Sequence, residues 1–434
     1  TSQTLMGEPD RKMKTVARAY NLSPGVELED AELRDILSVW RTTDGPDRLR
    51  QYLASDVGIA RGLTPRYLRE LEALADHNRV PLSAMVDTYK SFIPKLVHAR
   101  HFHRLTLTCF ETNYERYNGG SGSLHRLGRM EEERGKLRYE GAKVEIVKTG
   151  RFAPVWKTDF ASLYPNAFRT LNLSPETTRI VELREYTGRY QFERTKTKLW
   201  LDIPDDNFRK QIIIQVDQDY DGFLRTEIAS AMEQRLAMKR QAKALDTNDP
   251  RFPILDAQQI ARKVLLNSLY GMEGQVSSEH GSLPCAIACV GLCRWLITNI
   301  RNQLGNSVIE VDTDGLYTDH AIDIDALNAL VDNCLSQAIG YAGFMEVDLE
   351  KPWPVGLFYK MKNYILQDEQ GRVTLHGGTF KNATHSRGAK RLLRRLAGVE
   401  LAGGEPEARA EVLRTDGDPF TWSFDDFVTS LTFR

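Results

Sequence analysis

Two acidic stretches stand out for the chemistry they could perform. In Lys157-Thr158-Asp159-Phe160-Ala161-Ser162-Leu163-Tyr164-Pro165 an aspartate sits at the end of a strand-like run. In Asp312-Thr313-Asp314-Gly315 two aspartates lie between Ser307-Val308-Ile309-Glu310-Val311, read as a strand, and its return Leu316-Tyr317-Thr318. Hard divalent cations such as Mg2+ want oxygen ligands, usually one or two carboxylates plus phosphate oxygens. Asp159 and Asp314 could supply them, and they converge only if their strands are neighbours in one sheet. A lone aspartate in a turn more often caps or is solvated, so the pairing matters more than either residue.

Two helical stretches carry a second signal. Over residues 225–245, Ile228, Met232 and Leu236 form an apolar stripe, and Arg235, Lys239 and Lys243 a cationic one. Asn248-Asp249-Pro250 breaks this helix, and a second runs from about Asp256 to Tyr270. On it Lys263, Asn267 and Tyr270 share a face, followed by Gly271. A basic stripe alone is usually a solvated surface. Two facing basic helices would suit a triphosphate, with Arg as a bidentate fork and Lys as a point charge.

The order of these stretches, with Lys263-Val264-Leu265-Leu266-Asn267-Ser268-Leu269-Tyr270-Gly271 between the aspartates, resembles motifs A, B and C of family B DNA polymerases. The resemblance implies nucleotidyl transfer with two cations about 3.5–4 Å apart. Asp159 and Asp314 would bridge Mg2+, with Mn2+ as a substitute; the Phe160 carbonyl would add a ligand and Asp312 would support the site. Ser162 and Leu163 would meet phosphate oxygens, and Tyr164 would act as a sugar gate against NTPs. Arg235, Lys263 and, as a helper, Lys239 would bind the triphosphate. Asn267, Tyr270 and Gly271 would lie against the nascent base pair. Gly315 and Glu310 depart from the family pattern, which commonly has serine and an aromatic residue there. These departures bear on primer-end contacts rather than on the metals.

Weaker matches extend the resemblance over residues 139 to about 381. Tyr139-Glu140-Gly141-Ala142 resembles the template-touching motif before the palm, through Tyr139 and Gly141. Asn172-Leu173-Ser174-Pro175-Glu176-Thr177 resembles the segment after motif A. Lys360-Met361-Lys362-Asn363-Tyr364 resembles the Lys-x-Tyr duplex grip, with Lys360, Lys362 and Tyr364 as contacts. The basic run from Lys381 to Arg395, with Arg387, Lys390, Arg391 and Arg394, sits where a thumb begins. It could equally be a solvated helix face. Tyr52-Leu53-Ala54-Ser55-Asp56 fits the third motif of the family's 3′–5′ exonuclease, or is simply one helix face. No Asp-x-Glu on an apolar strand precedes it, so an exonuclease without its catalytic front, and no proofreading, are expected.

The implied fold is α+β: a polymerase right hand with an antiparallel palm sheet, helical-hairpin fingers and a helical N-terminal remnant of an exonuclease domain. The expected boundaries are 1–105 for that remnant, 106–150 for a linker and lead-in to the palm, 151–222 for palm, 223–274 for fingers, 275–378 for palm and 379–434 for the start of a short thumb. A hairpin around Gly150 is expected to lead into the Asp159 strand, which Pro165 would stop. Asn118-Gly119-Gly120-Ser121-Gly122-Ser123 has linker composition.

Composition sets the remaining bounds. The 434 residues, 41% hydrophobic, are enough for a sizeable core. A net charge of −1 means that any DNA channel must come from local clusters. Five cysteines make no disulfide framework, and Cys285, Cys289 and Cys293 read as core residues. His98, His101 and His103 lack zinc spacing. No membrane segment or signal peptide is expected, which points to a cytoplasmic or, in a eukaryote, nuclear protein that is not secreted. The expected partners are primer–template DNA and dNTPs, with a processivity factor or a separate exonuclease or thumb portion also open. The short thumb implies weak duplex grip. A catalytically silent DNA-binding scaffold is the second reading, and a nuclease resting on Asp56 a third.

Overall fold

The computed structural model describes Leu22, Leu28 and residues 35–78, 141–206, 209–246, 249, 251–274, 281–350, 352–378 and 386–417. Tyr139, Lys381, the glycine-serine stretch at 118–123 and His98, His101 and His103 lie outside these residues. The architecture is α+β, and the chain divides into two compact units.

The described part of the first unit is helical. It holds α1 (Ile36–Trp40), α2 (Gly45–Asn78), residues 174–176 and residues 221–286. After α3 (Leu163–Leu171), which belongs to the other unit, come α4 (Phe223–Lys243) and α5 (Phe252–Glu273), packed as an antiparallel hairpin. Helix α2 also packs along α5, a grouping that the spacing of apolar residues does not reveal. The N-cap of α4 is Gly222, which has no side chain to satisfy the first amides. Residues distant in sequence do so instead. The Phe223 amide donates to Glu176 Oε1 at 2.7 Å and the Leu224 amide to Ser174 Oγ at 3.3 Å. A carboxylate at a helix N-terminus is also favoured by the helix dipole. The segment after motif A thus caps the helical hairpin.

The apolar stripe of α4 is narrower than its spacing suggests. Phe223, Leu224, Ile228 and Ala231 are buried, but Leu236 is 48% exposed. A four-residue repeat drifts around a 3.6-residue helix, so its third member has rotated off the packed face.

The second unit carries three antiparallel sheets. The central one has five strands in the order β1-β8-β9-β3-β10, with β1 Val144–Ile146, β3 Trp156–Phe160, β8 Val308–Asp312, β9 Gly315–Thr318 and β10 Val347–Leu349. The second has the order β13-β12-β11-β2, with β2 Gly150–Phe152, β11 Val355–Lys360, β12 Asn363–Gln367 and β13 Val373–His376. The third, β4-β7-β6-β5, comprises Thr178–Glu185, Lys210–Asp217, Lys198–Asp205 and Gln191–Arg194.

The expected hairpin around Gly150 does not form. β1 pairs with β8 and β2 pairs with β11, so the two strands enter different sheets. Each finds a longer-range partner, which a local turn reading cannot see. Pro165 also does not end β3. The strand stops at Phe160, Ser162 turns left-handed at φ +54°, and Pro165 falls in the first turn of α3, where its missing N–H costs nothing.

The third sheet shows why this unit holds together. On β6 and β7 the cross-strand pairs Leu199–Val216, Leu201–Ile214 and Ile203–Ile212 are all buried. Against them runs α6 (Leu283–Leu304), whose Trp295 meets Phe192 edge-on at 4.9 Å between ring centroids. The stretch Leu283–Ser307 is long and apolar enough to cross a membrane, yet 78% of its 18-residue apolar window is buried inside the fold, as in a core helix. Cys285, Cys289 and Cys293 lie on this helix, buried, as expected of small core residues. Helix α7 (Ile324–Ile339) packs on β5 and β10. Helices α8 (Arg387–Ala402) and α9 (Pro406–Asp416) pack on each other, and α8 on β11.

The approach of α6 to this sheet depends on Gly291, where a Cβ would lie 2.6 Å from Ile203 Cδ1. Gly291→Val should overpack the contact and lower stability by about 1–3 kcal/mol, read as a reduced midpoint in urea unfolding.

Candidate active site

The site is built by one strand pairing. β3 lies antiparallel to β9 with Asp159 opposite Gly315, and the Phe160 amide donates to the Asp314 carbonyl at 2.8 Å. β8 and β9 form a hairpin whose turn is Thr313-Asp314, with Asp312 opposite Gly315. Thr313 has φ +67°, a left-handed conformation that a β-branched residue rarely adopts. Such strain persists where surrounding structure over-determines it, and here the Thr313 amide is held by the Lys143 carbonyl at 3.1 Å. Position 315 has no room to spare: a Cβ there would lie 2.8 Å from Asp159 Oδ1 and 3.0 Å from the Thr158 carbonyl.

The Asp314 charge makes ionisation of Asp159 more costly. Burial, then the Asp314 charge, lift Asp159 to about 6, although Lys157 pulls it down. Burial lifts Asp314 as well. Asp159 Oδ1 is buried with no hydrogen-bond partner among the described residues. Lys157 lies two residues earlier on β3, its Nζ 3.6 Å from Asp159 Oδ2 and 2.9 Å from Glu350 Oε1. Burial alone would lower the Lys157 pKa, but Glu350 and Asp159 hold it above the ordinary value. Lys157 is shared with Glu350 and Lys362 with Asp312, so two lysines face four carboxylates and negative charge is left uncompensated. An orphaned carboxylate oxygen in such a setting fits a hard divalent cation held by Asp159 and Asp314. Among the described residues no trio of His, Cys, Asp or Glu side chains forms a complete protein cage.

Asp312 is engaged elsewhere. Its Oδ2 accepts from Tyr364 Oη at 3.1 Å, which in turn accepts from Tyr317 Oη at 2.9 Å. Its Oδ1 lies 3.2 Å from Lys362 Nζ. Both tyrosines are buried, with pKa values pushed up, and Tyr364 stacks on His376 at 4.5 Å. Of the two lysines read as a duplex grip, Lys362 reaches the hairpin, whereas Lys360 ends β11 exposed. Gly141 is exposed just before β1, its carbonyl accepting from Arg294 at 3.0 Å.

Ser162 and Leu163 begin α3, whose N-terminus has no side-chain cap. Tyr164 is half-buried in its first turn rather than a core residue. In the helical unit Lys263, Asn267 and Gly271 are exposed along one face of α5, and Tyr270 is half-buried. Arg235 differs from its neighbour Lys239: Lys239 is exposed, while Arg235 is half-buried, its Nε without a hydrogen-bond partner among the described residues and its pKa lowered by desolvation. Tyr52 and Asp56 share one face of α2, where Tyr52 packs beside Leu28, Val39 and Leu49. The basic run of α8 is partly neutralised, because Arg391 and Arg395 both pair with Asp416 of α9. Arg387 opens that helix.

Sequence reasoning missed Lys157, Glu350 and Tyr317. Lys157 was legible, since a two-residue offset on a strand puts it on the Asp159 face. Glu350 and Tyr317 carried no local signal.

A family model described as DNA polymerase family B matches residues 96–330, more than half of the chain. The chain belongs to family B of the DNA polymerases. It is 24% identical over 413 residues to DNA polymerase 1 of Pyrococcus abyssi, covering 92% of this chain and 48% of that protein. A DNA polymerase of Thermococcus gorgonarius is 25% identical over 407 residues, with the same coverage. The fold is similar to that of the family B DNA polymerase from Pyrobaculum calidifontis, with a TM-score of 0.63 at 19% identity over 96% of this chain and 50% of that one. This family B chain therefore spans about half the length of the relatives it matches.

The raised pKa of Asp159 has a measurable consequence. Between its ordinary value of 3.8 and about 6 the folded state binds a proton that the unfolded state does not. This stabilising contribution is complete at pH below the ordinary value and is lost as pH rises through the folded one. In EDTA at neutral pH, Asp159→Asn should exceed the wild type in stability by about 1–2 kcal/mol. The gap should close towards pH 4 and shrink when Mg2+ is added, because the wild type gains more from binding the cation. Thermal melts across pH would check both.

Proposed function

We propose that the chain adds dNTPs to a primer 3′ end under template direction, by two-metal nucleotidyl transfer. The observation supporting this most directly is the half-buried pair of Asp159, on β3, and Asp314, in the turn before the neighbouring β9, with its orphaned oxygen. Asp159 and Asp314, with the Phe160 carbonyl, would hold Mg2+ or Mn2+; when bound, the cations lower the pKa of the attacking hydroxyl and stabilise the leaving pyrophosphate.

The chain's own residues have separable tasks. Lys157 fixes the Asp159 carboxylate through its shared contact with Glu350. Tyr364 and Lys362 keep Asp312 beside the hairpin. The uncapped N-terminus of α3 offers backbone amides at Ser162 and Leu163 to phosphate oxygens. Tyr164, in that same turn, would exclude a 2′ hydroxyl. On the helical hairpin, Lys263 and Arg235, helped by Lys239, are proposed for the triphosphate, and Asn267, Tyr270 and Gly271 for the base pair. A desolvated guanidinium such as that of Arg235 gains from an anionic partner.

Primer extension on a primed DNA template with Mg2+ and dNTPs tests this. Asp159→Ala and Asp314→Ala should each cut extension by roughly 10²–10³-fold or more, with duplex binding retained. Duplex binding without extension by the wild type would favour a catalytically silent scaffold. Tyr164→Ala should raise NTP use relative to dNTP use by roughly 10–100-fold, measured as the ratio of kcat/KM values.

A further inference from the structure

Glu310 is a carboxylic acid where the chain has no obvious place for one. It is fully buried in β8, two residues before Asp312. Its Oε1 accepts the main-chain amide of Lys362 at 2.5 Å, while Oε2 is buried with no hydrogen-bond partner among the described residues. A buried acid held this way costs free energy, so a gain elsewhere is expected.

The partner amide explains the gain. Met361 and Lys362 form the two-residue turn between β11 and β12, with Lys360 opposite Asn363. Lys362 has φ +57°, a left-handed conformation that L-residues other than Asn and Asp rarely adopt. Its amide points out of the hairpin ladder and needs an acceptor, which Glu310 supplies. From this turn the Lys362 side chain returns to the same motif C hairpin. Its Nζ donates to Thr313 Oγ1 at 2.9 Å and lies 3.2 Å from Asp312 Oδ1. Thr313 is the left-handed residue that presents Asp314.

We propose that Glu310 is a positioning residue: by accepting the Lys362 amide it fixes the β11–β12 turn and aims the Lys362 ammonium at Thr313 and Asp312, which sets the Thr313-Asp314 turn. Two strained turns in different sheets thereby brace each other. This role rests on the reading of Asp159 and Asp314 as a nucleotidyl-transfer centre, but its structural half can be tested without that reading.

The test uses the full chain and four variants. Glu310→Met keeps the side-chain volume and removes the acceptor. Glu310→Asp keeps the charge and withdraws the acceptor by one methylene. Glu310→Gln keeps an acceptor at the same reach. Lys362→Met keeps the amide and removes the ammonium. Hydrogen exchange at the Lys362 amide should accelerate at least about tenfold in the Met and Asp variants at position 310, and stay near wild type in Glu310→Gln and Lys362→Met. In primer extension, kcat should fall about tenfold or more in Glu310→Met, Glu310→Asp and Lys362→Met, with KM for the primer–template changing less, and recover in Glu310→Gln. Glu310→Met combined with Lys362→Met should match Lys362→Met alone within about twofold, because the first residue acts through the second.

Unchanged exchange in both acceptor-removing variants would overturn the clamp. Multiplicative kcat losses in the double variant would overturn the route through Lys362. If Glu310→Met fails to fold, Glu310→Asp carries the same comparisons. A wild type that does not extend primers would sink the polymerase reading, while the exchange contrast would still decide the clamp.

Discussion

Everything at this site depends on holding two carboxylates together out of bulk water. The antiparallel register of β3 on β9 does this, placing Asp159 opposite Gly315 and next to the turn that carries Asp314. Burial, joined by the Asp314 charge, raises the pKa of Asp159, and burial raises that of Asp314. The sheet holds the pair in place through main-chain hydrogen bonds on both sides of β3, to β9 and to β10. The fold therefore holds an unfavourable interaction that the proposed divalent cation would relieve. Glycine at 315 follows from the same constraint, because a side chain would press on the Asp159 carboxylate.

Around this pair the cations are rationed rather than abundant. Lys157 serves Asp159 and Glu350, and Lys362 serves Asp312 and Thr313. A larger excess of lysines would neutralise the aspartates and weaken the metal binding proposed for them. Asp312 differs from its neighbour because a tyrosine hydroxyl and an ammonium already occupy its oxygens. Two aspartates two positions apart thus have distinct surroundings, set by which neighbours reach them. The overall charge balance of the chain says nothing of this, since the arrangement is local.

The helical unit solves a separate problem. Its hairpin starts at a glycine that cannot cap, and the cap comes from Ser174 and Glu176, just beyond the strand and helix that carry motif A. The start of α4 is consequently tied to the segment that follows Asp159 in sequence. Helix α2 supports the other arm by packing on α5. On α5 itself the apolar side is consumed by packing, which leaves Lys263, Asn267 and Gly271 exposed together.

The sequence by itself determined the local elements and the chemical inventory. The strand–turn–strand at Asp312-Thr313-Asp314-Gly315, the helices flanking Asn248-Asp249-Pro250 and the shared face of Lys263 and Asn267 follow from periodicity and turn chemistry, which act over a few residues. Lys157 was equally legible, and only the two-residue strand period was needed to see it. The tertiary structure alone decided which strands became neighbours, and with that the outcome at several positions. It sent the segments on either side of Gly150 into different sheets. It divided the basic run of α8 by pairing Arg391 and Arg395 with Asp416. It buried Glu310 against the Lys362 amide and joined Tyr317, Tyr364 and Asp312 in one chain of hydrogen bonds. Each of these depends on contacts between residues far apart in the chain, where desolvation and hydrogen-bond geometry, rather than local propensity, set the energy.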